Sequence, residues 1–568
     1  MKRPSTAVAH RALIASAVVL IALVGAPIAS GHAILEETSP GNDSVLQQSP
    51  PAVLLRFNEA VETAFGSIRV YDCSAKRVDS GQITRPADRI VSITVNPQLP
   101  RGTYTVTWRV ISADSHPVSG AFVFHVKSPG ACPAGIAQQV LGKGTPGSIS
   151  ALFKFARGLD FALLLLVVGG SAVLALVLRS AAPTLRRRLY GTVAGLGVGL
   201  VLAAILCIVL QGAVAGGFGL SEAFRWNTVH AVLRTRFGGA FEYQLAFAVA
   251  AAVVAFGASR FRPDVLGPLT ILPAVSLIPT LSAAGHARTS GTLAFAADVT
   301  HVAAASAWVG GLAFTVLALL LAGEDRWPLA ARAVPRFSML AVVSVAVLIT
   351  AGVIRGIEEV RPWPGLHAAV SNLSGWRGLW DTTYGLLLLA KIGLVLPLLA
   401  LGAYNNRFAV PRLRRQIASL VERRRFLRAA GAELVIMASI VGVTAVLVSQ
   451  PPAKASVAAG PFAKTFPIGN LEVNFVVDPA KTGPNVMHLY FSTPSGLQAG
   501  VADAKISASL PSKSIGPLRF NLQKIVPSHY TMSGAVFPLP GDWQLTIEAR
   551  RGQFQSLQTT VSVPIRKG

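Results

Sequence analysis

Eight apolar stretches, each long enough to cross a bilayer, run through the middle of this 568-residue chain and limit its fold more than any other feature. They fall at roughly 152–178, 190–216, 242–258, 265–284, 296–322, 337–357, 382–403 and 429–449. About 20 apolar residues in a helix span a hydrocarbon core of roughly 30 Å. Inside that core, helices and closed barrels are the structures that satisfy their own backbone. The chain is therefore expected to carry an eight-helix transmembrane bundle. Pro268, Pro273 and Pro279 interrupt the fourth stretch, and the carbonyls they free need partners on neighbouring helices. A mean hydropathy of +0.53 with 14% charged residues suits a membrane protein and not a soluble one of this size.

The net charge of +25 has two readings. Nucleic acid is rejected as a partner because the excess sits in short, alternate loops: Arg179 with Arg186, Arg187 and Arg188; Arg260 with Arg262; Arg326 with Arg332 and Arg336; and the stretch from Arg407 to Arg428. Lys and Arg concentrate in loops on the inner side of a membrane. The segments before the first span and after the eighth are then both expected outside, and the protein in the cell membrane as a multi-pass chain. The N-terminus agrees. Lys2, Arg3 and Arg11 precede an apolar run from Ala12 to Val24, then Pro27 and the small residues Ala29 and Gly31. That is the layout of a signal peptide over 1–31, with His32 as the mature N-terminus.

Residues 32–127 alternate in the strand period, as in Thr103-Tyr104-Thr105-Val106-Thr107-Trp108-Arg109-Val110, with Pro, Gly and Asn at short intervals. The pattern predicts an all-β sandwich. Residues 128–148 read as a linker, 149–450 as the transmembrane domain, and 451–459 as a second linker. Residues 460–568 return to strand alternation and predict a small second β-sandwich. The fold class is thus a multi-domain membrane protein with all-β domains at both ends. Cys73 and Cys132 fall in the outer N-terminal portion, where a disulfide is permitted and two unpaired thiols are the alternative. Cys207 sits in the second span and reads as a small core residue.

The candidate chemistry starts at His32. A terminal histidine offers an α-amine and a ring nitrogen from one residue. Asp114 and His116, two apart in a segment that reads as strand, share a side. Together the three supply nitrogens and a carboxylate oxygen, a Cu(II)-type ligand set. His125 reads as a surface residue. In the membrane, Asp298 and His301 lie three apart on one helix face near the outer end of the fifth span. His286 ends the fourth span, and His230 lies in the preceding outer loop. His286, Asp298 and His301 form a candidate copper uptake or relay site; an interhelical hydrogen-bond cluster is the alternative. Lys391 and Glu433 are candidates for an ion pair between the last two spans, and Trp308, Trp363, Trp376 and Trp380 for interfacial anchors. Met487 and His488, with His529 and Met532, are candidates for a mixed thioether and imidazole site of Cu(I) type. The alternative is core methionines with surface histidines.

The N-terminal portion resembles the copper resistance protein C family. The resemblance is carried by His32-Ala33, Ser39-Pro40, Val53-Leu54-Leu55-Arg56-Phe57-Asn58-Glu59, the stretch Gly102 to Val110, and Ser112-Ala113-Asp114-Ser115-His116-Pro117-Val118-Ser119-Gly120-Ala121-Phe122. It implies a cupredoxin-like barrel that binds Cu(II) through His32, Asp114 and His116. Some members add a methionine-rich Cu(I) loop, but this chain has no methionine between Met1 and Met339. The membrane portion resembles copper resistance protein D, through Ala284-Gly285-His286-Ala287, Asp298-Val299-Thr300-His301, Trp308-Val309-Gly310-Gly311-Leu312, Arg336-Phe337-Ser338, and Thr383-Tyr384-Gly385 with Lys391.

The expected function is capture of Cu(II) outside the membrane and its import or delivery through the helices, without enzymatic activity. Copper ions and the lipid bilayer are the expected partners, and a cuproprotein acceptor is a candidate. The alternatives are a copper- or haem-dependent membrane redox enzyme and a copper-sequestering sensor that transports nothing. No Gly-x-x-x-x-Gly-Lys loop is visible, which argues against ATP-driven pumping.

Overall fold

A computed structural model describes residues 33–128, 146–360, 378–450 and 462–565 together with Ala453, except for 34, 42–43, 58, 64–67, 113–116, 218, 286–290, 381, 479, 494–498, 514 and 553–554. Its three parts are a β-sandwich, an eight-helix bundle and a second β-sandwich, as the fold class anticipated.

The N-terminal strands are β1 (Leu35–Ser39), β2 (Ser44–Leu46), β3 (Ala52–Phe57), β4 (Ile68–Tyr71), β5 (Asp79–Ala87), β6 (Ile90–Val95), β7 (Gly102–Ile111) and β8 (Pro117–Val126). They form two four-stranded sheets, ordered β1-β3-β6-β5 and β2-β8-β7-β4. Alternation decides which side chains go inward. On β3, Val53, Leu55 and Phe57 are buried while Arg56 is exposed. Phe57 meets Trp108 of β7 edge-on at 5.4 Å, a favourable aromatic geometry that ties the two sheets together.

The eight helices long and apolar enough to cross a membrane are α1 (Gly147–Leu176), α2 (Pro183–Gly216), α3 (Arg236–Arg260), α4 (Leu266–Ala283), α5 (Thr292–Leu321), α6 (Arg326–Val360), α7 (Thr383–Arg414) and α8 (Leu420–Leu447). The most buried is α1, which packs against α2, α4, α5 and α8. Its crossing with α5 needs glycine on both sides. A Cβ at Gly169 would collide with the Ser306 carbonyl and the Gly310 backbone, and one at Gly310 with the Leu165 carbonyl. At this contact α5 widens into a π-helical turn, Ser306–Gly310, a distortion often found at functional sites. The least buried is α7, which packs chiefly on α8. Arg186 on α2 pairs with Asp264 and also donates to the Pro263 carbonyl at 2.8 Å, which secures one basic loop.

The C-terminal strands are β9 (Phe462–Ile468), β10 (Leu471–Asp478), β11 (Gly483–Ser492), β12 (Asp503–Leu510), β13 (Ile515–Asn521), β14 (Gln523–Val526), β15 (His529–Phe537), β16 (Gly541–Arg551) and β17 (Gln555–Ile565). One sheet runs β14-β15-β11-β10-β9 and the other β13-β12-β16-β17. Trp543, Phe475, Phe491 and Phe537 fill the core between them.

Candidate functional site

His32, Asp114 and His116 lie outside the described residues; the frame around them is described. Strand β7 ends at Ile111, and β8, its neighbour in the sheet, begins at Pro117. His125 is not the expected surface residue. It is buried, with Nδ1 2.9 Å from the Thr103 hydroxyl. The reason is its strand: β8 lies between β2 and β7, and a neighbour on β7 satisfies the ring. Cys73 is disulfide-bonded, and Cys132 lies outside the described residues. Cys207 is a buried free thiol.

In the bundle, Asp298 and His301 of α5 line a cavity of about 740 Å³ together with Arg355 and Glu359 of α6 and Lys391 of α7. At 1.5 Å per residue the pair stands about 9 and 14 Å along α5 from its first residue. Arg355 Nε is 3.4 Å from Asp298, and its Nη2 is 2.5 Å from Glu359. The His301 ring reaches the Leu348 backbone on α6. Its Nδ1 is buried and has no hydrogen-bond partner among the described residues. Gly352 makes room for that edge, since a Cβ there would lie 3.5 Å from Nδ1. Asp298 and His301 therefore share one cavity wall, as their spacing implied. His286 lies outside the described residues. Among the described residues no three His, Cys, Asp or Glu gather closely enough to hold a metal ion. His230 is exposed on a short helix, Trp226–Leu233, and stacks on Trp226.

Three expectations are corrected. Lys391 and Glu433 do not pair: Lys391 lines the cavity in electrostatic reach of Asp298, while Glu433 accepts a 2.6 Å hydrogen bond from Asn405. An amide near its own end of the bundle satisfies the acid before the lysine can. Trp308 is buried on the cavity wall and is not an interfacial anchor, because it sits within the π-turn that packs on α1. Trp380 is exposed, and Trp363 and Trp376 lie outside the described residues. The C-terminal candidates also separate. Met487 and Met532 are register partners on the core side of their sheet, whereas His488 and His529 occupy the other side. Adjacent residues of a strand face opposite ways, so a Met-His dipeptide cannot deliver both side chains to one site. Nor are these histidines surface residues, since both are buried.

Two arrangements escaped sequence reasoning. One is the Arg355–Glu359 pair, whose signal was charge at the end of the sixth apolar stretch. The other is Asp160 on α1, fully buried, which accepts from Gln244 of α3 at 2.6 Å; Thr280 of α4 donates to the same Gln244 at 3.3 Å. Its signal was a lone carboxylate inside an apolar run, a placement that calls for a partner.

Comparison with known proteins agrees with this architecture. The CopC domain family matches residues 35–127, the copper resistance protein D-like N-terminal domain 148–295, and copper resistance protein D 331–447. The copper transport protein CutJ of Bacillus subtilis is 30% identical over 500 residues, covering 84% of this chain and 85% of that protein. The inner membrane protein YebZ of Escherichia coli is 28% identical over 219 residues, covering 38% of this chain and 69% of that one. Among solved structures, CopC from Methylosinus trichosporium OB3b is 35% identical, covers 18% of this chain and 97% of its own, and aligns with a TM-score of 0.16. With both copper-resistance modules in one polypeptide and a copper transport protein matched along most of its length, the chain belongs to the CopC–CopD copper resistance and transport family.

Proposed function

We propose that this protein captures copper as Cu(II) at His32, Asp114 and His116 outside the membrane and moves copper inward past Asp298 and His301. Family membership supports a role in copper homeostasis. The observation that carries the membrane step is the buried His301 Nδ1, unpartnered among the described residues, on the wall of a 740 Å³ cavity that Asp298 also lines. Imidazole and carboxylate both suit copper. Conduction also requires that a site release what it binds. Two donors flanked by the cations of Arg355 and Lys391 make a weak station, suited to passing an ion on and poor at storing it.

The basic loops would face the cytoplasm and both sandwiches the outside, following the distribution of arginine. Copper is the cargo in this scheme, and no catalytic step is assigned to it.

The test is copper accumulation in cells that carry the wild-type chain, His301→Ala, Asp298→Asn, or no chain. The expected result is uptake in His301→Ala close to that of cells without the chain, at equal protein in the membrane. Undiminished uptake in that variant makes the α5 pair a structural element. Flux into liposomes separates transport from sequestration, which would hold copper and move none.

A further inference from the structure

The outer side of the five-stranded C-terminal sheet holds two imidazoles that the transport scheme leaves unused. His488 on β11 and His529 on β15 bring Nδ1 and Nε2 within 3.3 Å of each other. The register explains how. His488 stands opposite Thr531 and Tyr490 opposite His529, so alternation puts both histidines and Tyr490 on one side of adjacent strands. The Tyr490 ring stacks on His529 at 4.2 Å and 18°, which holds that imidazole in plane. Although this side faces away from the hydrophobic core, His488 is only 2% and His529 6% exposed. Asp478 on β10 shares the side and lies in electrostatic reach of His488, so an acidic charge stands beside the pair.

We propose that His488 and His529 form a bis-imidazole site for a borderline divalent ion of the Cu(II)–Zn(II) class. Two metal–nitrogen bonds of about 2.0 Å whose ends are 3.3 Å apart enclose an angle of about 110°, that of a four-coordinate ion. Each neutral imidazole has one N–H and one lone pair. Binding needs both N–H groups on the outward nitrogens, so that each facing nitrogen presents a lone pair to the ion. The ligand set also decides the oxidation state. With Met487 and Met532 turned to the core, no thioether joins the pair, and imidazole without thioether favours the divalent ion. Among divalent first-row ions, Cu(II) is held most tightly. The C-terminal domain thereby becomes a further metal-binding module, independent of His301 and of the proposed N-terminal ligands.

The test uses the full-length protein in detergent, in a His116→Ala background that removes the N-terminal ligand. Cu(II) or Zn(II) alone is added, the protein is desalted, and bound metal is counted. The expected result is the loss of about one equivalent in His488→Gln, in His529→Gln and in the double variant, with Met532→Leu unchanged. An unchanged count with both ions in the double variant overturns the proposal and leaves the pair as a hydrogen bond. Loss of the equivalent in Met532→Leu overturns the all-imidazole ligand set. A readout that leaves His488 and His529 in place guards against misfolding of their variants. Hydrogen exchange of β11 and β15 should slow when metal is added to the His116→Ala protein, and no change under saturating Cu(II) and Zn(II) overturns the site.

Discussion

Arg355 Nε lies 3.4 Å from Asp298 Oδ1, joining α6 to α5 across the cavity wall, and the same guanidinium holds Glu359 at 2.5 Å. One cation thus serves two carboxylates in a setting where Glu359 is almost wholly buried. Breaking a buried pair by removing one partner leaves an uncompensated charge, at a cost of about 3–5 kcal/mol. Arg355→Gln should therefore lower the melting temperature in detergent markedly, and Arg355→Gln with Glu359→Gln should recover most of the loss. A double-mutant cycle on thermal melting measures the coupling. Additive losses would show that the two groups do not depend on each other.

The proposed N-terminal ligand set makes a prediction of its own. Adding one residue before His32 after processing moves the free amine away from the ring, so Cu(II) affinity should fall by at least an order of magnitude. His116→Ala should do the same. Titration of the purified protein with Cu(II) measures both. Unchanged affinity in the extended form would remove the terminal amine from the site.

The crossing of α1 and α5 permits a paired comparison. Gly169→Ala places a methyl on the Ser306 carbonyl and the Gly310 backbone, whereas a Cβ at Gly195 meets nothing within 4 Å. Overpacking of this kind costs about 1–3 kcal/mol. Gly169→Ala should destabilise the bundle by that order, and Gly195→Ala should be neutral or mildly stabilising through helix propensity. Thermal melts of the two variants side by side decide it, and equal effects would count against a tight crossing.

Stability of the N-terminal sandwich should depend on acid through Asp79. Burial alone would raise this carboxyl, but hydrogen bonds from Arg77 and the Val70 amide, the Arg77 charge and the Gly81 amide outweigh it and hold the group below the usual carboxylate range. A depressed folded value means the contribution is complete above the unfolded value, near 3.9, and is lost as pH falls through the folded one. Asp79→Asn should cost about 1–3 kcal/mol at neutral pH, the order for hydrogen bonds to a charged group. The gap in melting temperature between wild type and variant should close below about pH 4. A gap independent of pH would assign the effect to packing.

Much of the architecture was legible beforehand because it rests on local periodicity. Runs of about 20 apolar residues have one solution in a bilayer, and Pro279, which interrupts the fourth, sits inside α4 without ending it. The strand alternation on which that reading rests recurs in the structure, which buries every second side chain along Ala52–Phe57 and Leu471–Asp478. The candidate cavity wall was legible only where its members lie one helical turn apart. Asp298 and His301 met that condition. Arg355 completes their surroundings from another helix, more than fifty residues away, and no local pattern announces such a pairing.

What the residues alone determined is the number of spans, the strand alternation at either end and the kinds of chemical group available, because each follows from composition and near-neighbour spacing. Which groups meet was settled only in three dimensions. Lys391 came within electrostatic reach of Asp298 and left Glu433 to Asn405, Trp308 turned inward on a π-turn, and His488 found His529 while its neighbour Met487 went to the core. In each case the deciding quantity was the packing of one element against another, which fixes burial and partner and which depends on residues far apart in the chain.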